Sequence, residues 1–370
     1  MADWAELHQD LLAFIAKRIG LLEDFISFAR VCKSWCSVAV KRNFNGSRQT
    51  PWLMLAGEEE EEAENLITSD YRRFISITNG ELIGRIMLPE AKGKRCLESL
   101  GWFVTISETG DMSLLNPMSR VQISLPHITT FKNYVEGLPT IFNIVQKAVL
   151  SSVPSPSSKD YALMVIYEGC LYPGAILWAR RWGKDFCLRR LGSNPTKARE
   201  VGQIGAPKFI GPKQLYIVES QGELLIVVRD GCDISFADEK DHESFMKGSL
   251  EETLYNFDEP RIHYGVQEFR VFKVDLLSDG WTSELIQSLG DNALFLGDSS
   301  SISIEASKFP GIRPNCIYYT DDNWEAYIYS KQGGGKDTGI YNLEDRSRTA
   351  FYQGVSRSRV CPPLWVSPSF

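Results

Sequence analysis

The chain has 370 residues, 43% of them hydrophobic and 24% charged, enough apolar material for one large domain plus a small one, or two medium ones. A formal net charge of -7 argues against broad binding to a phosphate backbone, so no nucleic-acid partner is expected. No apolar run reaches the roughly 18 residues that crossing a bilayer takes, so no membrane partner is expected either.

Met1-Ala2-Asp3-Trp4 lacks the basic start and apolar stretch of a secretory signal. The eight cysteines, at 32, 36, 96, 170, 187, 232, 316 and 361, therefore read as reduced thiols of a cytoplasmic or nuclear protein. No basic import cluster decides between those compartments. Asn45-Gly46-Ser47 matches a glycosylation sequon, which has no reader outside the secretory route.

Residues 1–45 read as a helical module. Leu7, Leu11, Leu12, Ile15 and Ile19 recur at helical spacing, with Asp10 near the start and Lys17 and Arg18 near the end, a charge order that suits the helix dipole. Gly20 breaks the pattern. A second stretch, Leu21 to Val31, carries Leu22, Phe25, Ile26 and Phe28, and Ser34 is placed to cap a third helix bearing Trp35 and Val38. Helices this short need tertiary support. Their apolar side chains require a hydrophobic partner, either another protein or the rest of this chain.

Leu7-His8-Gln9-Asp10-Leu11-Leu12, Ile15, Leu22 to Phe28, and the ending Val31-Cys32-Lys33-Ser34-Trp35 resemble the F-box. His8 stands where a proline is usual, Cys36 replaces a common arginine, and the middle is one residue longer than the general pattern. The resemblance implies packing against a Skp-family adaptor through Leu7, Leu11, Leu12, Ile15, Leu22, Phe25, Val31, Cys32 and Trp35. Through that adaptor it implies a cullin scaffold. The alternative is a helical cap internal to one domain.

Residues 46–70 read as a linker, a first strand at Trp52 to Leu55, and an exposed acidic loop at Glu58 to Glu62. From residue 71 to 370 the chain is mostly short strands rich in β-branched and aromatic residues, broken by glycine turns. Phe74 to Ile77 and Leu82 to Leu88 flank Asn79-Gly80, a hairpin signal. Trp102 to Ser107, Met112 to Leu115 and Val121 to Leu125 follow. Then come Ala162 to Tyr167, Ala175 to Trp178, Phe186 to Leu191, Leu215 to Val218 and Leu224 to Val228. The last are Phe269 to Val274, Trp281 to Ile286, Asn292 to Leu296, Ser301 to Ile304, Cys316 to Tyr319, Ala326 to Tyr329 and Gly339 to Tyr341. Weak helical patterns remain at Glu90 to Leu100 and Asp241 to Tyr255.

So many strands exceed what one open sheet tolerates. At about 40 to 50 residues per blade, the length predicts a β-propeller of six or seven blades, with a large β-sandwich as the alternative. Ring closure requires the ends to pair: Trp52 to Leu55 with Thr349 to Tyr352, the favoured partner, or with Leu364 to Val366. Trp365 is expected nearby.

Gly101-Trp102-Phe103-Val104, Leu115-Asn116-Pro117, Ile123-Ser124-Leu125-Pro126 and Ser288 to Gly297 resemble the domain that follows many plant F-boxes, as do Pro314 to Thr320, Tyr341-Asn342-Leu343 and Pro362 to Trp365. That likeness implies a kelch-like β-propeller and a plant protein. Together the two resemblances imply the substrate-recognition subunit of a Skp–cullin–F-box ubiquitin ligase, its propeller binding an unknown target protein. Two alternatives stand beside it: an F-box scaffold or inhibitor outside any active ligase, and an enzymatic propeller with a helical cap.

Catalytic signatures are sparse. Gly333-Gly334-Gly335-Lys336 has Ser330 and Asp337 where a phosphate loop needs glycine and a hydroxyl. No nucleophile elbow occurs. Cys32 and Cys36 lack the further ligands of a metal site, and His242-Glu243 lacks the spacing of a zinc helix. His8, His127 and His263 are isolated. A non-enzymatic protein without cofactor or metal is expected.

Overall fold

A computed structural model describes residues 4–368 except 47–48, 57–58, 63–64, 69, 132–143, 155–160, 168–186, 191–213, 232–234, 237–261, 278–279, 300, 324–332, 353–355 and 359. The strands expected at Ala175 to Trp178 and Ala326 to Tyr329, and the helical pattern at Asp241 to Tyr255, lie outside the described residues.

Three helices open the chain: α1 (Gln9–Ala16), α2 (Leu22–Ala29) and α3 (Lys33–Val38). His8 caps α1, accepting from Asp10 N–H, with φ of -59°. That is the angle a proline ring would impose, so the histidine meets the same backbone demand. Gln49 clasps the break at Gly20, donating to its carbonyl at 2.9 Å and accepting from Leu22 N–H at 2.6 Å. This satisfies an orphan donor at the start of α2 from outside the helix. The cap position of α3 is Cys32, without a side-chain bond, and not Ser34, which lies inside the helix.

The rest is β-structure in separate small sheets of propeller type, rather than the two large layers of a sandwich. The first sheet has the order Leu364–Val366, Trp52–Met54, Tyr71–Ser76, Leu82–Met87, and the second runs Arg95–Ser99, Trp102–Ile106, Met112–Leu115, Gln122–Ser124. The third comprises Val145–Leu150, Ala162–Tyr167 and Cys187–Arg190. The fourth comprises Gln214–Ser220, Glu223–Asp230, Glu268–Leu277 and Gly280–Ile286. The fifth has the order Ile302–Glu305, Asn292–Leu296, Cys316–Tyr319, Gly339–Asn342, Arg348–Thr349, with its second and third strands parallel. Short hairpins pair Glu59–Glu62 with Asn65–Thr68 and Ser235–Phe236 with Ile262–His263.

Two expectations are corrected here. Most of the acidic segment expected to be a loop is a strand, because Asn65–Thr68 gives it a pairing partner. The helical pattern at Glu90 to Leu100 is a single 3-10 turn, Pro89–Ala91, followed by the strand Arg95–Ser99, all of it buried.

The seam joins the first strand of the β-region to the last. Trp52 pairs with Val366, Leu53 with Trp365 and Met54 with Leu364, antiparallel. The favoured partner was the wrong one: Thr349 pairs instead with Ile340 at the edge of the fifth sheet. Pro362 and Pro363 precede the seam strand, so their missing donors cost no ladder bond. Trp365 is fully buried; its indole N–H donates to Leu296 O at 3.1 Å, and its ring meets Phe295 edge-on at 5.2 Å.

Shared apolar clusters set the neighbours. The fourth sheet packs on the fifth, the fifth on the first, and the second on the third. One cluster unites Leu12, Ala16, Leu22, Phe25, Phe28 and Val38 of the helices with Trp52, Phe74, Cys96, Phe103, Leu364 and Val366 of the first two sheets. The helical module therefore shares its core with the propeller seam.

Candidate docking surface and polar hub

Leu11 to Ala16 is an unbroken apolar run, and a helix apolar on all sides must be covered on all sides. The chain covers one side: Leu12 and Ala16 are fully buried. The opposite side is bare, with Leu11 52%, Phe14 55% and Ile15 36% exposed. Arg18 lies over the Phe14 ring, 3.4 Å from its centroid, and donates to Phe14 O. Val31, between α2 and α3, is 58% exposed.

Of the nine side chains singled out from sequence, Leu11, Ile15 and Val31 are exposed, and Leu7, Cys32 and Trp35 are partly covered. Trp35 packs against Phe28 with its ring plane tilted by 39° and centroids 4.6 Å apart, and donates to Trp4 O at 3.0 Å. Leu12, Leu22 and Phe25 are corrected to core residues: each is at most 1% exposed and faces the cluster shared with the sheets. Phe14 was missed. The signal was available, since Phe14 lies three residues after Leu11 on the stripe opposite Leu12.

Polar links fix the module on the first sheet. Arg30 donates to Ile83 O, and its guanidinium occupies the space a side chain at Gly84 would fill. Thr78 donates to the Glu23 carboxylate at 3.1 Å.

A second constellation lies where the sheets converge. Arg95 of the second sheet forms a two-point pair with Asp298, at 2.9 and 3.0 Å, just beyond the fifth sheet's strand Asn292–Leu296. Lys147 of the third sheet donates to Gly297 O. Arg229 of the fourth sheet binds Asp322 at 2.9 Å and Asp337 at 2.5 Å. Burial pushes the Asp321 and Asp322 carboxyls up, against the pull of Arg229, and pushes the Lys147 ammonium down.

The glycine-rich segment rejected as a phosphate loop is an anion nest all the same. Gly333 and Gly335 have positive φ, and the N–H groups of Gly335 and Lys336 point at Asp321 Oδ2 at 2.8 and 2.9 Å. Tyr264 adds its hydroxyl at 2.7 Å. The anion is the chain's own carboxylate, so these groups tie sheets together. Among the described residues, no group of three or more His, Cys, Asp or Glu is placed to hold a metal.

A short helical module seated on the seam of a β-propeller, bare on one apolar stripe, is the class of protein that fold and surface define. The model of the KIB1-4 beta-propeller family matches residues 74–198 and 191–342, and the chain belongs to that family. A probable F-box protein of Arabidopsis thaliana is 22% identical, over 95% of this chain and 98% of its own. F-box protein SKIP23 of the same plant is 23% identical, over 95% of this chain and 89% of its own. A putative F-box protein of that plant is 24% identical, over 86% and 84%. These relatives agree with the resemblance to plant F-box proteins with a propeller.

Proposed function

We propose that this protein is the substrate-recognition subunit of a Skp–cullin–F-box ubiquitin ligase. It binds a Skp-family adaptor through Leu11, Phe14, Ile15 and Val31, and a target protein through the propeller. The observation that carries this reading is the split of α1 into a covered and a bare apolar stripe, on a chain whose relatives are F-box proteins. Two charged side chains flank Phe14 on the bare stripe: Arg18, whose stacking on Phe14 presents an apolar guanidinium face, and exposed Asp10, one helical turn earlier. Such a stripe suits helix-in-groove docking.

The protein itself breaks no bond in this account. It raises the effective concentration of the target at the ubiquitin-loaded enzyme. The helices share a core with the seam, which supports a fixed orientation of module and propeller. Reconstitution of the full chain with adaptor, cullin and ubiquitin-charged enzyme tests the reading. Transfer of ubiquitin to a captured protein, lost without the adaptor, is the expected result. Adaptor binding without transfer to any captured protein would point instead to a non-ligase scaffold, and absence of adaptor binding would overturn both.

A further inference from the structure

The chain ahead of α1 is pinned at two points. Trp4–Glu6 forms a 3-10 turn, and at its start Trp4 O accepts from the Trp35 indole N–H at 3.0 Å. Just after the turn, partly buried Leu7 packs on the cluster shared by the helices and the seam. With its backbone held, the Trp4 side chain still stands out. It is 64% exposed, the most of any large hydrophobic side chain among the described residues. Val31 comes next at 58%, four residues before Trp35. The two barest apolar side chains are thus tied to one indole, Trp4 through a hydrogen bond and Val31 through the chain. Trp35 itself is engaged: it is partly covered, its ring packs on Phe28, and its one N–H is taken by Trp4 O.

We propose that Trp4 is an anchor of the adaptor interface, continuing the bare stripe of Leu11, Phe14, Ile15 and Val31, and that Trp35 acts through it as a positioning residue. This rests on the adaptor reading given above. The resemblance to the F-box gives Trp35 a direct adaptor contact; the geometry moves that role to Trp4. An indole offers a large contact area for two rotatable bonds, and tryptophan is enriched where a few side chains dominate binding. Standing in water in the free chain, the Trp4 ring has most of its area still to bury. The pinned backbone removes much of the ordering cost that a loose tryptophan would bear on docking. The helices α1 and α3 pack on each other, and the Trp4–Glu6 turn packs on α3. One adaptor surface, apolar across the bare stripe and recessed for an indole beside α3, therefore covers both.

The test is a double-mutant cycle, read as equilibrium binding of a purified Skp-family adaptor to the full chain. Trp4→Ala should weaken binding about tenfold or more and leave the thermal midpoint nearly unchanged, since the side chain is mostly exposed. Trp35→Phe keeps an aromatic ring against Phe28 and removes the N–H, and should weaken binding about threefold or more. In the Trp4→Ala background the same change should cause no further loss, because its effect passes through Trp4. A merely structural role for Trp35 would instead lower the thermal midpoint and add in full to Trp4→Ala. Wild-type affinity in Trp4→Ala, beside weakened binding in Leu11→Asp, overturns this proposal alone. Additive losses from the two tryptophan changes overturn the positioning role of Trp35. Absence of adaptor binding by the wild-type chain overturns the adaptor reading, and this proposal with it.

Discussion

Leu53 faces Trp365 across the antiparallel seam, with both side chains buried in the cluster between the first and fifth sheets. A residue near the start of the β-region and one near the chain's end thus fill the same space. Closure of the ring is a packing event as much as a ladder of hydrogen bonds.

Trp365→Ala therefore removes an inter-sheet contact, a hydrogen bond to Leu296 O and the edge-on contact with Phe295. Truncating a buried aromatic of this size costs about 3–5 kcal/mol. Urea unfolding monitored by fluorescence and circular dichroism should show one transition shifted to lower denaturant for the whole β-region. Deletion after residue 345 should be more damaging still, because it removes the seam strand entirely. An unchanged midpoint in that deletion contradicts the seam.

Leu12→Ala is expected to act on stability, not on a docking surface. Leu12 is fully buried in the cluster that also holds Trp52, Phe74 and Val366. The loss should be about 2–5 kcal/mol and should lower the β-sheet transition along with the helical one. Helical signal lost alone, with the β transition unmoved, would show separate cores.

Glu98 gives the seam a pH dependence. Its carboxyl is fully buried, accepts from Gly101 N–H at 2.8 Å and from Ser367 N–H, and is raised from its ordinary 4.5 to about 7, chiefly by burial. The folded state holds this proton more tightly than the unfolded chain does. Its contribution is complete below pH 4.5 and is lost as pH rises towards about 7. The gap corresponds to roughly 3 kcal/mol. Glu98→Gln keeps the acceptor oxygen without the charge, so it should be more stable than wild type at pH 8 and converge with it near pH 4. Parallel stability curves for the two proteins across that range would refute the assignment.

Asp321→Ala should empty the nest, leaving the Gly335 and Lys336 N–H groups and the Tyr264 hydroxyl without their shared acceptor. Stranding buried donors costs about 1–3 kcal/mol each, so a loss of several kcal/mol is expected in thermal or urea unfolding. Asp321→Asn retains one acceptor oxygen and should recover part of it.

The sequence made much of this legible, for reasons that differ by element. The hairpin turning at Asn79-Gly80 was readable because Gly80 has positive φ, which glycine adopts freely. The end-to-end seam followed from the need to pair exposed edges, but its strand was misplaced. Arg348–Thr349 satisfies its own sheet locally, while Leu364–Val366 is apolar throughout, fully buried, and takes the end position of the first sheet. On α1, periodicity showed that apolar residues abound, yet it did not sort Leu12 from Leu11. Which stripe faces the sheets depends on Trp52 and Val366, which lie far along the chain. The polar hub was invisible for the same reason: Arg95 and Asp298 are paired only by the ring.

The most direct measurement is equilibrium binding of a purified Skp-family adaptor to the full chain and to variants of the bare stripe. Leu11→Asp, Phe14→Asp and Val31→Asp should each weaken binding at least tenfold while leaving the thermal midpoint nearly unchanged, because these side chains are more than half exposed. Full adaptor affinity in all three variants, or no adaptor binding by the wild-type chain, would contradict the account.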